Sequence, residues 1–236
     1  MALESSRRTR QRIIGLFALL VPLAALIAAC NGHAESRHAG SASAAPPPCI
    51  DTPKEAMREP PPIDVQLHSK TSKTLEQRID VPFAKFTAWH RTASLEKLLK
   101  GNDELPGVTA TRPLNDIPFR DVGSRRLVCL TDGGSAVEQI LLDQPPSTFA
   151  YVVWAYSTPQ AAAIEYGYGQ FWFRPDGEAT IVRWQYSFKL KQDRFPGSMG
   201  ALGRWLFRAF FLDTKYERFM RSALNTMASE AVANAR

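Results

Sequence analysis

Between Ala179 and Lys191 the chain alternates in a clean period of two. Thr180, Val182, Trp184, Tyr186, Phe188 and Leu190 share one face, and Ile181, Arg183, Gln185, Ser187 and Lys189 share the other. Successive side chains of a strand point to opposite sides, so this pattern predicts a strand with one packed face and one wet face. From Ser198 onward the period changes. Met199, Leu202, Leu206, Ala209, Tyr216, Met220, Ala223 and Met227 recur at threes and fours, with Asp213 as the one interruption and no proline. That spacing predicts a long amphipathic helix whose apolar stripe lies on the packed face of the sheet.

Shorter runs fill the interval between residue 69 and that helix. Ser69 to Asp80 alternates loosely and ends at Val81-Pro82, as an edge strand does before a helix that accepts proline in its first turn. Phe83 to Trp89 and Ala93 to Leu99 read as two short helices separated by His90-Arg91-Thr92. Strands are predicted over Gly107 to Arg112, Arg125 to Thr131, Ala136 to Asp143, Thr148 to Tyr156 and Ala163 to Arg174. Asp132-Gly133-Gly134 and Pro175-Asp176-Gly177 supply the tight turns, where glycine takes a positive φ at little cost. Gly167-Tyr168-Gly169, inside a strand, predicts a bulge or a close approach to the long helix.

The N-terminal third follows different rules. Arg7, Arg8, Arg10 and Arg12 precede Ile13 to Ala29, which is almost wholly apolar and ends in small residues before Cys30. A basic segment, an apolar core and a small-residue site make a secretory signal. The run is short for a spanning helix and is broken by Pro22, which makes a permanent anchor the weaker alternative. From Asn31 to about His68 the chain is rich in Ala, Ser and Pro without an apolar period, so it is expected to be a disordered tether with a reach of roughly 30 to 40 Å. Such a tether would keep the following domain near a bilayer without touching it.

Composition narrows the function classes. The 236 residues are 44% hydrophobic, enough for one core of ordinary size. The net charge of +6 falls to +3 once residues 1–29 are removed, and the remaining Lys and Arg are scattered. No phosphate-binding stripe is present, and no nucleic-acid partner is expected. Cys30, Cys49 and Cys129 do not share metal-ligand spacing with one another or with His33, His38, His68 and His90. Neither a metal site nor a cofactor is therefore expected. In an oxidising compartment Cys49 and Cys129 can pair or stay separately shielded, and nothing in the sequence decides between these.

Two resemblances follow from these residues. Ile27-Ala28-Ala29-Cys30 resembles the lipobox of bacterial lipoproteins, which implies an acylated Cys30 as the first mature residue. With Asn31 rather than Asp after it, the same resemblance implies an outer-membrane lipoprotein facing the periplasm in a diderm cell. A cut nearby without acylation is the alternative. The second resemblance rests on the element order from about Lys70 to Met227, with Gly107-Val108, Gly123 with Arg126, Asp132-Gly133, Glu138 and Tyr151 at their spacings. Together these resemble the START-like, SRPBCC superfamily, especially its polyketide cyclase/dehydrase-like branch. The implied fold is α+β, a helix-grip fold in which a curved antiparallel sheet wraps around a long C-terminal helix. Where many relatives carry an Asp and a Trp after the first short helix, this chain has His90-Arg91-Thr92-Ala93-Ser94, so the pocket entrance is expected to differ.

The resemblance implies an internal cavity for an apolar or amphipathic small molecule. Candidate ligand-lining residues are Trp184, Tyr186 and Phe188 on the last strand, with Trp154, Tyr166, Tyr156, Tyr168 and Trp172 on neighbouring strands. The competing reading of each is ordinary core packing. Arg126, Glu138, Glu165 and Arg183 are the candidate polar groups, and Arg183 falls on the wet face. No catalytic Ser/His/Asp order or paired carboxylates can be assembled, so no catalytic residue is assigned. Two functions compete: a cell-envelope lipoprotein that binds or carries a hydrophobic small molecule or lipid, and a cyclase or dehydratase using the same cavity. A structural or assembly role with a collapsed core is the third, and protein partners are not specified by the sequence.

Overall fold

The computed structural model describes residues 54–64 and 71–235. The signal segment, Cys30, Cys49 and most of the expected tether lie outside the described residues. In chain order the elements are β1 (Ser72–Ile79), α1 (Phe83–Thr92), α2 (Leu95–Leu98), β2 (Val108–Pro113), β3 (Arg125–Leu130), β4 (Ser135–Gln144), β5 (Thr148–Trp154), β6 (Ile164–Asp176) and β7 (Ala179–Leu190). The closing helix follows as α3 (Gly200–Phe207), a wide π-helical stretch (Arg208–Tyr216) and α4 (Glu217–Asn234). The strands form one seven-stranded antiparallel sheet in the order β1-β7-β6-β5-β4-β3-β2. This is the helix-grip α+β fold, read from the strand order and the closing helix of this chain itself.

Local chemistry explains the hairpins. Gly133 has φ +82° in the β3–β4 turn, and the Gly134 amide donates to Asp132 Oδ1 at 2.9 Å. Gly177 at φ +59° turns β6 into β7. The alternation in β7 holds on its packed side: Thr180, Val182, Trp184, Tyr186, Phe188 and Leu190 are all buried under the helix run. On that inner face Leu212, Tyr216, Met220, Ala223, Leu224, Met227 and Ala231 supply the helix side of the core.

Three expectations need correction. The outer face is not simply wet: Leu127, Val137, Val152, Trp154 and Tyr166 form a second buried cluster, against which Ile63 packs. Residues 54–64, read from sequence as tether, supply part of that cover. The Asp64 amide donates to Tyr166 Oη at 2.8 Å, Asp64 pairs with Lys189 at 3.5 Å, and Arg125 donates to the Arg58 carbonyl at 3.1 Å. The helix stripe also changes phase. Met199 and Leu202, expected to face the sheet, are 43% and 54% exposed, whereas Phe207 and Phe211 pack on the core. The cause is the wide stretch, whose i→i+5 bonds take more residues per turn and rotate the stripe that precedes it. Asp213, the interruption in the stripe, lies there and pairs with Lys73 of β1 at 3.1 Å and Arg208 at 3.0 Å. Cys129 is disulfide-bonded.

Candidate functional site

The inner face of β5, β6 and β7 is paved with rings. Phe149 stacks on Phe171 with centroids 5.1 Å apart, and Phe171 on Trp184 at 5.0 Å, both pairs tilted by only 11°. Tyr186 and Phe188 continue the series to Tyr216, at 5.0 and 4.8 Å. Gly167 and Gly169 make this possible. A Cβ on Gly167 would stand 2.3 Å from Tyr186 Oη, and one on Gly169 2.2 Å from Tyr151 Cζ. The close approach expected here from the long helix is instead made by two tyrosine rings of the neighbouring strands, Tyr186 of β7 and Tyr151 of β5, lying on bared backbone. Burial raises the hydroxyl pKa values of Tyr151, Tyr156, Tyr186 and Tyr216 above the ordinary phenol range, so all four are neutral hydrogen-bonding groups.

The predicted site residues separate into three groups. Trp184, Tyr186 and Phe188 point inward, where they are packed ring on ring. Trp154 and Tyr166 point the other way, into the outer cluster, because both pair at outward positions of the β5–β6 register. They cannot line an inner cavity, and the sequence missed this because β5 is apolar on both faces. Arg126 and Glu138 oppose each other across β3 and β4 and form an ion pair at 2.6 Å, with side chains 13% and 8% exposed. Arg126 also lies over the Phe119 ring at 3.8 Å. Arg183 is exposed on the outer face above Trp172 at 5.3 Å, as the alternation requires.

A pocket of about 280 Å³ opens elsewhere, between α1 and the β4–β5 turn. Phe83 and Thr87 of α1, Phe149, Phe173, His90 and Arg120 line it. His90, on the last turn of α1, is buried and sits against Phe86, Phe149, Phe171 and Phe173. Arg120 comes from the loop between β2 and β3 and reaches His90 through one nitrogen. Its Nη2 stands 3.0 Å from His90 Nδ1 and donates to the His90 carbonyl at 2.8 Å. Its guanidinium lies over Phe149 at 4.3 Å. Arg120 has φ +88°, a region where a side chain is strained unless surrounding contacts hold it.

These contacts fix the protonation states. A guanidinium only donates, so His90 Nδ1 carries the lone pair and Nε2 the proton. Burial first, then the charges of Arg120 and Arg91, push the His90 imidazole well below its usual range, and it is neutral at pH 7. Burial lowers Arg120 to about 10, so it keeps its charge. No carboxylate among the described residues lies within ion-pair distance of Arg120, and its Nε is buried without a partner. Asp143, also on the pocket wall, is bound by Arg91 at 3.0 Å. The Thr87 hydroxyl donates to the Phe83 carbonyl at 2.9 Å. Asp143 and Glu138 support the Arg120 charge from beyond ion-pair distance, and the wall offers one cation with no directly bound carboxylate and one imidazole N–H donor amid phenyl rings. Among the described residues no group of three or more His, Cys, Asp or Glu is placed to hold a metal ion.

Sequence reasoning missed Arg120 and gave His90 no role, because 30 positions separate them and neither belongs to a motif. The one usable signal was the departure at His90-Arg91-Thr92, which pointed to an altered entrance.

Neither a protein-family model nor a curated protein matches the chain. Among solved structures, Ara h 8.0201 superposes with a TM-score of 0.46 at 12% identity, over 69% of this chain and 99% of that one. A Nitrosospira multiformis protein solved by structural genomics gives 0.47 at 16% identity, over 67% and 94%. TTHA0849 of Thermus thermophilus gives 0.49 at 16% identity, over 70% and 99%.

Proposed function

We propose that the domain is a binding module for a small apolar molecule with an anionic end, held in the pocket between α1 and the β4–β5 turn. The observation that carries this reading is Arg120, a guanidinium only 8% exposed that faces rings and a neutral imidazole instead of a carboxylate. A buried charge is costly until an opposite charge or hydrogen-bond acceptors meet it. A carboxylate-type head on Arg120, with His90 Nε2–H as a second donor, supplies that, and Phe83, Phe149 and Phe173 cover the apolar body. At 280 Å³ the pocket suits one ring or a short chain, or the head of a longer lipid.

Binding without chemistry is favoured over the cyclase or dehydratase alternative by the occupancy of the pocket's bases. His90 Nδ1 is taken by Arg120 and is not free to accept a substrate proton, and Asp143 already holds Arg91 through Oδ2. The cellular setting comes from the sequence: signal cleavage before Cys30, acylation of that cysteine, and attachment to the cell envelope, with the outer membrane facing the periplasm as the expected site. A Cys30→Ser chain should leave the membrane fraction, and undiminished membrane association would count against acylation.

The pocket is tested by titrating the protein with matched apolar ligands that differ in one group, an aryl carboxylate and the corresponding alcohol. The carboxylate should bind about tenfold or more tightly, and Arg120→Met should erase the difference. Ala84→Trp, which fills the pocket from α1, should abolish binding of both while the circular dichroism stays native. Equal affinity for acid and alcohol in the unmodified protein would refute the anionic end.

A further inference from the structure

The rotated stripe leaves α3 apolar on both sides. Inward, Gly203 is so close to the preceding turn that a Cβ would meet the Pro196 carbonyl at 1.7 Å, and Phe207 packs on Phe188 at 5.5 Å. Outward, Phe195, Met199, Leu202, Trp205 and Phe210 are 60%, 43%, 54%, 59% and 61% exposed. Leu202 and Trp205, three residues apart on α3, share one side of the helix, and Met199 precedes it across Gly200 at φ +59°. A surface helix ordinarily turns polar residues to water, as α4 does with Arg218, Arg221, Asn225 and Ser229. Apolar side chains this large, gathered within 16 residues on the surface, mark a contact surface.

The surrounding charge decides what the contact is. Arg204 and Arg208 are the only charged residues within 195–210, and Lys191 and Arg194 flank it against a single acid, Asp193. Arg194 pairs with Asp193 and Arg208 with Asp213, while Arg204 makes no ion pair among the described residues. A second copy docked face to face would set these cations against their own duplicates, which opposes a two-fold dimer. An anionic bilayer has the complementary charge. It also suits the residue types: tryptophan and phenylalanine enter the headgroup boundary while arginine and lysine extend to the phosphates.

We propose that α3 and the turn before it, residues 195–210, form a membrane-docking face that lies on an anionic lipid surface. The tether then confines the domain to a bilayer that α3 engages directly, which revises the expectation that the domain stays clear of it. Because α3 runs through the wide stretch into the helix that closes the core, docking would hold the closing helix at the lipid surface. The docking face itself does not depend on the pocket's having a guest.

The test uses the full chain reconstituted in vesicles of neutral phosphatidylcholine, with or without about 30 mol% phosphatidylglycerol. Amide hydrogen exchange over residues 195–210 should slow about tenfold in the anionic vesicles, with β6 and β7 unchanged, and high salt should reverse the effect. Trp205→Ser combined with Phe210→Ser should remove the protection yet leave carboxylate binding at the α1 pocket intact. Equal exchange in the two vesicle types would overturn the proposal. So would protection that follows protein density instead of lipid charge, which would identify a second copy as the occupant. Loss of pocket binding with docking retained would instead count against the proposed function alone.

Discussion

Arg126 and Arg120 are both removed from water, and the fold treats them in opposite ways. Arg126 faces Glu138 directly across the β3–β4 ladder at 2.6 Å, so its charge is matched within the protein. Arg120 is held by a carbonyl, an imidazole nitrogen and a phenyl face, none of which carries a negative charge. The first is a direct ion pair made through Nη2, with Nε left buried and unpartnered as in Arg120. The second is a cation in an apolar pocket whose nearest negative charges, Asp143 and Glu138, act on it from beyond ion-pair distance and are held directly by Arg91 and Arg126, an arrangement that suits a recognition group. Arg126 and Glu138 are candidate ligand contacts in the sequence because an inward charge must be paired or ligand-bound, and the pairing is with each other.

Breaking the matched pair should have the largest effect. Glu138→Gln leaves Arg126 buried without its carboxylate and is expected to lower unfolding free energy by about 3–5 kcal/mol in urea titrations. Arg120→Met removes a charge that no carboxylate binds directly, so only its hydrogen bonds to His90 and its packing on Phe149 are lost. A destabilisation of about 1–2 kcal/mol is expected, with carboxylate affinity reduced about tenfold or more. A larger loss of stability at Arg120 than at Glu138 would reverse the comparison and make Arg120 a structural residue.

Acid provides a milder test. His90 has a folded pKa below its unfolded value, so the unfolded chain takes up the proton first as pH falls. Its stability contribution is complete above about pH 6.5 and declines as the pH drops from there toward the depressed folded value. His90 is the one histidine among the described residues, and the lowered carboxylates Glu104 and Glu217 lose their contribution as the pH falls from the ordinary value of 4.5 downward. The melting temperature should therefore fall between pH 7 and pH 5, and His90→Gln should flatten that dependence. An unchanged slope in the variant would show that His90 is not the titrating group.

Much of the fold was legible because its signals are local. The β7 face, the turns at Gly133 and Gly177 and the edge position of β1 each follow from a few consecutive residues. What was not legible depends on distant parts of the chain. Residues 54–64 lack any period, and their place on the outer face rests on single anchors, Ile63 in the cluster and Asp64 on Tyr166 and Lys189. The helix stripe was read with one uniform turn, so the wide segment at Arg208–Tyr216 displaced every position before it. The His90–Arg120 contact joins a helix end to a loop with no shared motif, and only folding brings the two together.

The pocket's occupant gives the most direct test of the central claim. The full-length protein, extracted from its own host envelope, can be examined by native mass spectrometry beside Ala84→Trp material prepared in the same way. The expected result is a small apolar acid that travels with the unmodified protein, is released on denaturation as an anion, and is missing from the variant. Repeated recovery of the unmodified protein without a guest, or with a neutral or cationic one, would contradict the account.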